Sequence, residues 1–346
     1  MSSEQRDPFG ATEPLPTPTP PPPTAEAGVD KYGIKKIYPD AADDGKPEHQ
    51  YLDMNDIKAG RVDNYPDTYK KSNEDVPGGF KAIKIGGDQV RLSLYSSNGN
   101  PFGSLEHTVY FKFETGPTSN GDHKDEDRLF QPYTGGGRHH TAKDRCCEGN
   151  SMKVCIFGGG DIGFRKEICH PAYCGDDKRN NRGHFNNYEN KPHGGEWHGP
   201  VKNMKNGAML DRWYGFKQIE KHLADRNRQE VWIDEGADDG NGKLVLDGNQ
   251  DRWRLITAYE DVKTGEKDGR PIGDWTSDKY SLKCSDCNEA SRSGKPLPNG
   301  YVRLEPFSVT HAGGHDIDIK DTNCVVLRID KKKAKIAYWS SRKIKP

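Results

Sequence analysis

Three short runs near the start of the chain alternate apolar with polar residues: GFKAIKI (79–85), QVRLSLY (89–95) and TVYFKFE (108–114). A period of two over runs of this length is the signature of a strand with one face buried. Gly-Gly at 86–87 and Ser-Asn-Gly-Asn at 97–100 supply turn residues between them, a spacing that predicts an antiparallel meander. Comparable runs follow at 153–157, 212–219, 229–234, 243–246, 252–259, 324–330 and 334–339. No helical period is sustained; Ile219 to Arg228 is the best helical stretch, and it is short and polar. Many short strands set among Gly, Asn and Asp turns predict an all-β, two-sheet antiparallel sandwich, with long loops near 115–150, 175–210 and 262–300.

Composition changes this picture at the N-terminus. Residues 1–28 carry the run PLPTPTPPPP, which can build neither a ladder nor a core, so a disordered or polyproline-like tail is expected there, and one folded domain over 29–346. Across the 346 residues only 31% are hydrophobic and 30% are charged, figures that taken alone point to disorder. The six Trp, 15 Tyr and 11 Phe lie mostly beyond residue 30, beside the strand-like runs, and argue for a core rich in aromatics. Charge is balanced, 52 basic against 53 acidic residues, which excludes the strong basic excess of a general nucleic-acid binder while leaving room for a local basic groove. No apolar run is long enough for a membrane span, and MSSEQRDPFG shows no signal peptide.

Five of the eight cysteines fall within 146–174. They read as disulfides of an oxidising compartment, as a thiolate metal site, or as buried free thiols; Cys284-Ser-Asp-Cys287 is the one CxxC, without a paired knuckle. The cysteines suggest an extracellular or cell-surface setting.

Candidate chemistry is densest over 133–217. Alternation in FRKEI (164–168) puts Arg165 and Glu167 on one face and Lys166 with Phe164 on the other; in WYGFK (213–217) it groups Trp213, Gly215 and Lys217. Should these strands share a concave face, cations, carboxylates and rings would converge on a surface suited to sugars, whose C–H faces stack on rings and whose hydroxyls and carboxylates take hydrogen bonds.

The segments DKYGIKKIYP (30–39), GGGRHH (135–140), FRKEICHPAY (164–173), DRWYGFKQI (211–219), EVWID (230–234) and VVLRID…AYWSSRKI (325–344) carry a resemblance that spans nearly the whole of 30–344. The chain resembles the concanavalin-like glucanase and polysaccharide-lyase superfamily, and looks most like its archaeal polysaccharide-lyase-like jelly-roll proteins. The resemblance implies a jelly-roll sandwich and an acidic, uronate-containing polysaccharide in a concave groove. It implies β-elimination, in which a cation neutralises the uronate carboxylate, a base removes the C5 proton and an acid protonates the leaving oxygen. On that basis Arg165 and Lys217 are the carboxylate binders, His139 or His170 the base, and Tyr173 or Tyr214 the acid. Arg138, Lys166, Glu167, Trp197 and His198 complete the expected groove. The RxExR pattern of alginate lyases is met only at Arg165 and Glu167, and the ExDxxE run of related hydrolases is absent.

Blander readings stand beside these. His139 sits at a turn and suits a surface role; Arg165 and Glu167 suit cross-strand pairing. Trp213, Trp232 and Trp253 suit the core, whereas Trp197 lies in a Gly-rich loop. No cofactor is required; Ca²⁺ is a candidate at Asp234, Asp238 and Asp239, where an acidic turn is the alternative, and Asp316, Asp318 and Asp321 form a second acidic cluster. A non-catalytic lectin-like module and a structural surface or virion protein are the competing functions, with the tail as an attachment to a larger assembly.

Overall fold

The computed structural model describes residues 27–41, 49–51, 62–65, 69–76, 80–86, 90–95, 104–121, 127–136, 151–167, 184–186, 201–202, 204–222, 226–248, 250–262, 266–267, 270–271, 324–329 and 332–345. Among them every regular element is a strand. In chain order these are β1 (His49–Tyr51), β2 (Val62–Tyr65), β3 (Tyr69–Val76), β4 (Phe80–Gly86), β5 (Val90–Tyr95), β6 (Leu105–Thr115), β7 (Arg128–Gly136), β8 (Ser151–Phe157), β9 (Ile162–Glu167), β10 (His184–Asn186), β11 (Trp213–His222), β12 (Arg226–Asp234), β13 (Trp253–Val262), β14 (Glu266–Lys267), β15 (Arg270–Pro271), β16 (Cys324–Ile329) and β17 (Lys333–Lys343).

Two antiparallel sheets form a jelly-roll sandwich. The larger runs β13-β12-β11-β6-β17-β4-β3, with β1 paired to the far end of β17; the smaller runs β10-β9-β8-β7-β16-β5-β2. The expected meander of 79–114 is not formed. β4 and β6 lie in the larger sheet on either side of β17, and β5 lies in the smaller sheet between β16 and β2. Alternation marks a strand with one buried face but does not name its partner, and here successive strands cross between layers. The stretch 243–246 forms no strand, only an isolated bridge from Asp238 to Leu244, and the polar stretch Ile219 to Arg228 is divided between β11 and β12. The tail over 1–26 lies outside the described residues.

The inner faces meet in an aromatic core. Phe111 stands 4.9 Å from Phe130 and 5.4 Å from Phe113, Phe130 stands 5.6 Å from Phe216, and Val154, Ile156, Ile162 and Phe164 close it from the smaller sheet. Farther along β6 the inner face turns polar. His107 is fully buried opposite Ser341 and Gln218, and its Nε2 accepts a hydrogen bond from Trp339 Nε1. That bond makes the ring neutral with its proton on Nδ1. Burial, and then the Lys217 charge, lower the His107 pKa to about 3. A base whose folded pKa is depressed loses stability as pH falls, because the unfolded chain takes up a proton that the folded chain refuses. His107→Gln is therefore expected to flatten the fall in stability between pH 6.5 and 5, a slope of up to about 1.4 kcal/mol per pH unit. Urea midpoints of both proteins across that range check it; parallel midpoints would refute it.

The outer face of the larger sheet has a second layer of its own. Residues 27–41 strap across it, burying Ile34 and Tyr38 against Tyr110, Trp213, Trp253 and Tyr338 or their neighbours. Asp30 accepts from Tyr32 N at 2.8 Å, Ile34 N at 2.9 Å and Tyr338 Oη at 2.6 Å. Lys35 N donates to Asp247, Ile37 N to Glu106 at 3.0 Å, and Tyr38 Oη to Glu230 at 3.0 Å. The strap's buried polar groups are thus answered one by one from the sheet beneath.

Candidate functional site

Strand phase decides which predicted residues can act together. On β9 Phe164 belongs to the inter-sheet core, and on β11 Tyr214 and Phe216 belong to the same core. Residues 165 and 217 therefore stand on the two opposite outer faces of the sandwich, and the expected groove holding both Arg165 and Lys217 is divided. Both phases follow the predicted alternation; the strands lie in facing layers, so like phases turn away from each other.

Lys217 groups with Trp213 and Gly215, on the outer face of the larger sheet under the strap. It is buried; its Nζ lies 2.7 Å from Glu106 Oε1, 2.9 Å from Thr108 Oγ1 and 4.4 Å from the centre of the Trp253 ring. Arg342 takes the other oxygen of Glu106 and reaches Asp40 at 2.7 Å. Burial opposes ionisation of Glu106, yet Arg342, Lys217 and the Ile37 amide together hold its pKa at about 2. Lys217 is the partner of a buried carboxylate, which accounts for it structurally. Tyr214 is likewise corrected as a groove acid. It is 1% exposed between the sheets, burial raises its pKa to about 12, and its ring stacks near Phe111.

The acidic turn does not suit Ca²⁺. Asp234 accepts from Gly236 N at 2.9 Å and pairs with Arg252 at 2.7 Å; Asp238 accepts from Trp213 N, Gly240 N and Gly242 N; Asp239 accepts from Asn241 N and Lys243 N. These oxygens are turned to protein donors, and among the described residues no cluster of three or more His, Cys, Asp or Glu could hold a metal ion.

On the far face of the smaller sheet a different set lines up. β8 turns Val154 and Ile156 inward, so Lys153 and Cys155 share the opposite phase, and both are fully buried. Gln131 Nε2 donates to Cys155 Sγ at 3.0 Å, and Cys155 is a free thiol. Register aligns Tyr133 with Lys153, Lys153 with Arg165, and Arg165 with Asn186; the next row aligns Ser151, Glu167 and His184. Lys166 is in register with Met152 on β8 and Phe185 on β10, outside that row. Arg138, His139, His170, Tyr173, Trp197 and His198 lie outside the described residues. Lys153 escaped the sequence reading, though its signal was there: one lysine in the phase opposite to Val154 and Ile156.

No protein-family model matches the sequence, and no curated protein matches it. Among solved structures the chain is similar to the alginate lyase vAL-1 from Chlorella virus, at 11% identity and a TM-score of 0.36 over 85% of this chain and 98% of that one. It is similar to a galectin-like protein of unknown function from Bacillus subtilis, at 10% identity and a TM-score of 0.36 over 83% and 90%. A third likeness is to the exoplasmic/lumenal domain of VIP36 bound to Ca²⁺ and Man3GlcNAc, at 9% identity and a TM-score of 0.35 over 86% and 89%. The architecture stated here rests on the strand pairing above. Among the described residues no helix is long and apolar enough to cross a membrane.

Proposed function

We propose that the chain recognises an acidic polysaccharide on the far face of the smaller sheet and cleaves it there by β-elimination, outside the cell or at its surface, where such polymers lie. The observation that carries this reading is the row Tyr133, Lys153, Arg165 on three neighbouring strands, with Glu167 one row away. A guanidinium in that row suits a uronate carboxylate, which it can hold through two parallel hydrogen bonds. Elimination needs such a cation to stabilise charge on the carboxylate, a base for C5 and a phenol or imidazole for the leaving oxygen. Arg165 is assigned the first task, and Tyr133 and the expected His139, His170 and Tyr173 supply groups of the right kind for the others; Lys153, fully buried between Tyr133 and Arg165 in the register, stays beneath the surface.

The test is an assay of the full chain against alginate, polygalacturonate and glucuronan, following near-ultraviolet absorbance of the unsaturated uronate. Arg165→Ala is expected to lower kcat/KM by about 100-fold or more. Product formation undiminished in that variant would remove the row from the chemistry. A flat signal across the panel, with the same polymers retarding the protein in an affinity gel, would turn the reading to a lectin-like module.

A further inference from the structure

Three lysines stand in one cross-strand row on the outer face of the larger sheet. Register aligns Lys112 on β6 with Lys335 on β17, and Lys335 with Lys84 on β4. The phase is outward, because Phe111, Phe113, Ala334 and Ile336 beside them belong to the inter-sheet core. Neighbouring strands lie about 4.8 Å apart, so the row spans about 10 Å. Like charges directly opposite each other on a sheet are unfavourable, and this row has two such pairings in succession. The acidic counterpart at its middle is Glu114, whose Oε1 lies 3.6 Å from Lys84 Nζ and 3.4 Å from Lys335 Nζ, one oxygen between two ammonium groups.

The row opens at its Lys112 end into a cleft of about 520 Å³ lined by Lys112, Lys205, Asp211, Arg212, Asp238 and the turn Gly240–Gly242; the Asp238 carboxylate is turned to the amides of Trp213, Gly240 and Gly242. The turn is fixed: Gly240 and Gly242 have φ of 87° and 83°, and Asp238 holds both their amides. Gly242 also leaves room for the cation, since a Cβ there would stand 2.9 Å from Lys112 Nζ, which instead donates to the Gly242 carbonyl at 3.5 Å.

From this arrangement we infer that the lysine row and the cleft form a second binding surface for a linear acidic polysaccharide, on the side of the sandwich opposite the Arg165 row. The choice of ligand rests on the function proposed above; the placement of the surface does not. Charge complementarity calls for a polyanion. A carboxylated sugar chain is favoured over nucleic acid because the cleft sets the carboxylate of Asp211 among its cations. Sugar hydroxyls can donate to that carboxylate, and a DNA phosphodiester backbone has no such donor. The near-neutral charge of the whole chain points the same way.

The experiment measures the affinity of the full chain for polygalacturonate, neutral dextran and single-stranded DNA at low and moderate salt. Triple substitution Lys84→Gln, Lys112→Gln, Lys335→Gln is expected to weaken polygalacturonate binding about tenfold or more and to flatten its salt dependence. The matching Arg triple should retain binding, which separates lost charge from lost fold. Unchanged affinity in the Gln triple, salt-independent binding, or a preference for DNA over polygalacturonate would overturn the inference. The Arg165→Ala variant keeps the two readings apart. If it abolishes cleavage while low-salt binding persists and the Gln triple loses it, both stand. Binding lost only in the Gln triple, with cleavage intact in Arg165→Ala, fells the groove and leaves the strip. Binding lost only in Arg165→Ala fells the strip.

Discussion

Glu106→Gln is expected to destabilise the protein by about 3–5 kcal/mol, a large share of the total stability of a domain. Glu106 is 1% exposed, and its two oxygens answer Lys217 on one side and Arg342 with the Ile37 amide on the other. An amide of the same shape keeps the packing and removes the charge. Arg342 retains Asp40 and the Tyr38 carbonyl, whereas Lys217 keeps only the Thr108 hydroxyl and the Trp253 ring among the contacts described above. The cost comes from a cation stranded away from water, more than from the intrinsic strength of the pair. The double variant Glu106→Leu, Lys217→Met should therefore recover most of the loss. Urea midpoints at pH 7 measure both; a single variant within about 0.5 kcal/mol of the parent would remove this network from the stability of the fold. The same pairing predicts an acid limit. The Glu106 pKa is depressed to about 2, so its contribution is present above the ordinary carboxylate range and is lost as pH falls through about 2.

Phe111→Ala is expected to cost a similar amount, about 3–5 kcal/mol, by a different route. The ring is 1% exposed and touches the inner surfaces of both sheets through Phe113, Phe130 and Tyr214. Its neighbours come from β6 itself, β7 and β11, each pinned by its own ladder, so they cannot collapse into the space left behind. Phe111→Leu fills most of the volume and should cost well under half as much. Thermal unfolding would rank the two variants; equal losses would mean that the site tolerates no change of shape.

How far the sequence carried these conclusions depended on what each signal encodes. Alternation located β4, β5, β6, β8, β11, β12, β13, β16 and β17 within a few residues, because one buried face imposes period two regardless of the partner. It missed β3, whose YKKSNEDV carries hardly any apolar residues and pairs at a sheet edge, and β7, which sits in a stretch read as loop. The same local signal could not say that β9 and β11 lie in opposite layers. Arg165 on β9 and Lys217 on β11 were for that reason assigned to one groove. Trp213 and Trp253 were legible as buried, yet the layer that covers them is a strap from residues 27–41, more than 170 positions away, and no local pattern reports a contact of that range.

The placement of β17 bears on how the protein is made. It is the last strand in the chain, yet it stands in the middle of the larger sheet, paired with β6 along its length, with β4 at its start and with β1 toward its end. The strap at the other end of the chain also docks on it, through Tyr338 to Asp30 and through a bridge between Asp40 and Ile344. A chain being synthesised therefore holds β4 and β6 each with one bare edge until β17 has been made. Closure of the sheet waits on more than 200 residues of chain after β6, and during that wait β6, with its Val109, Phe111 and Phe113, is a segment in need of protection by a chaperone.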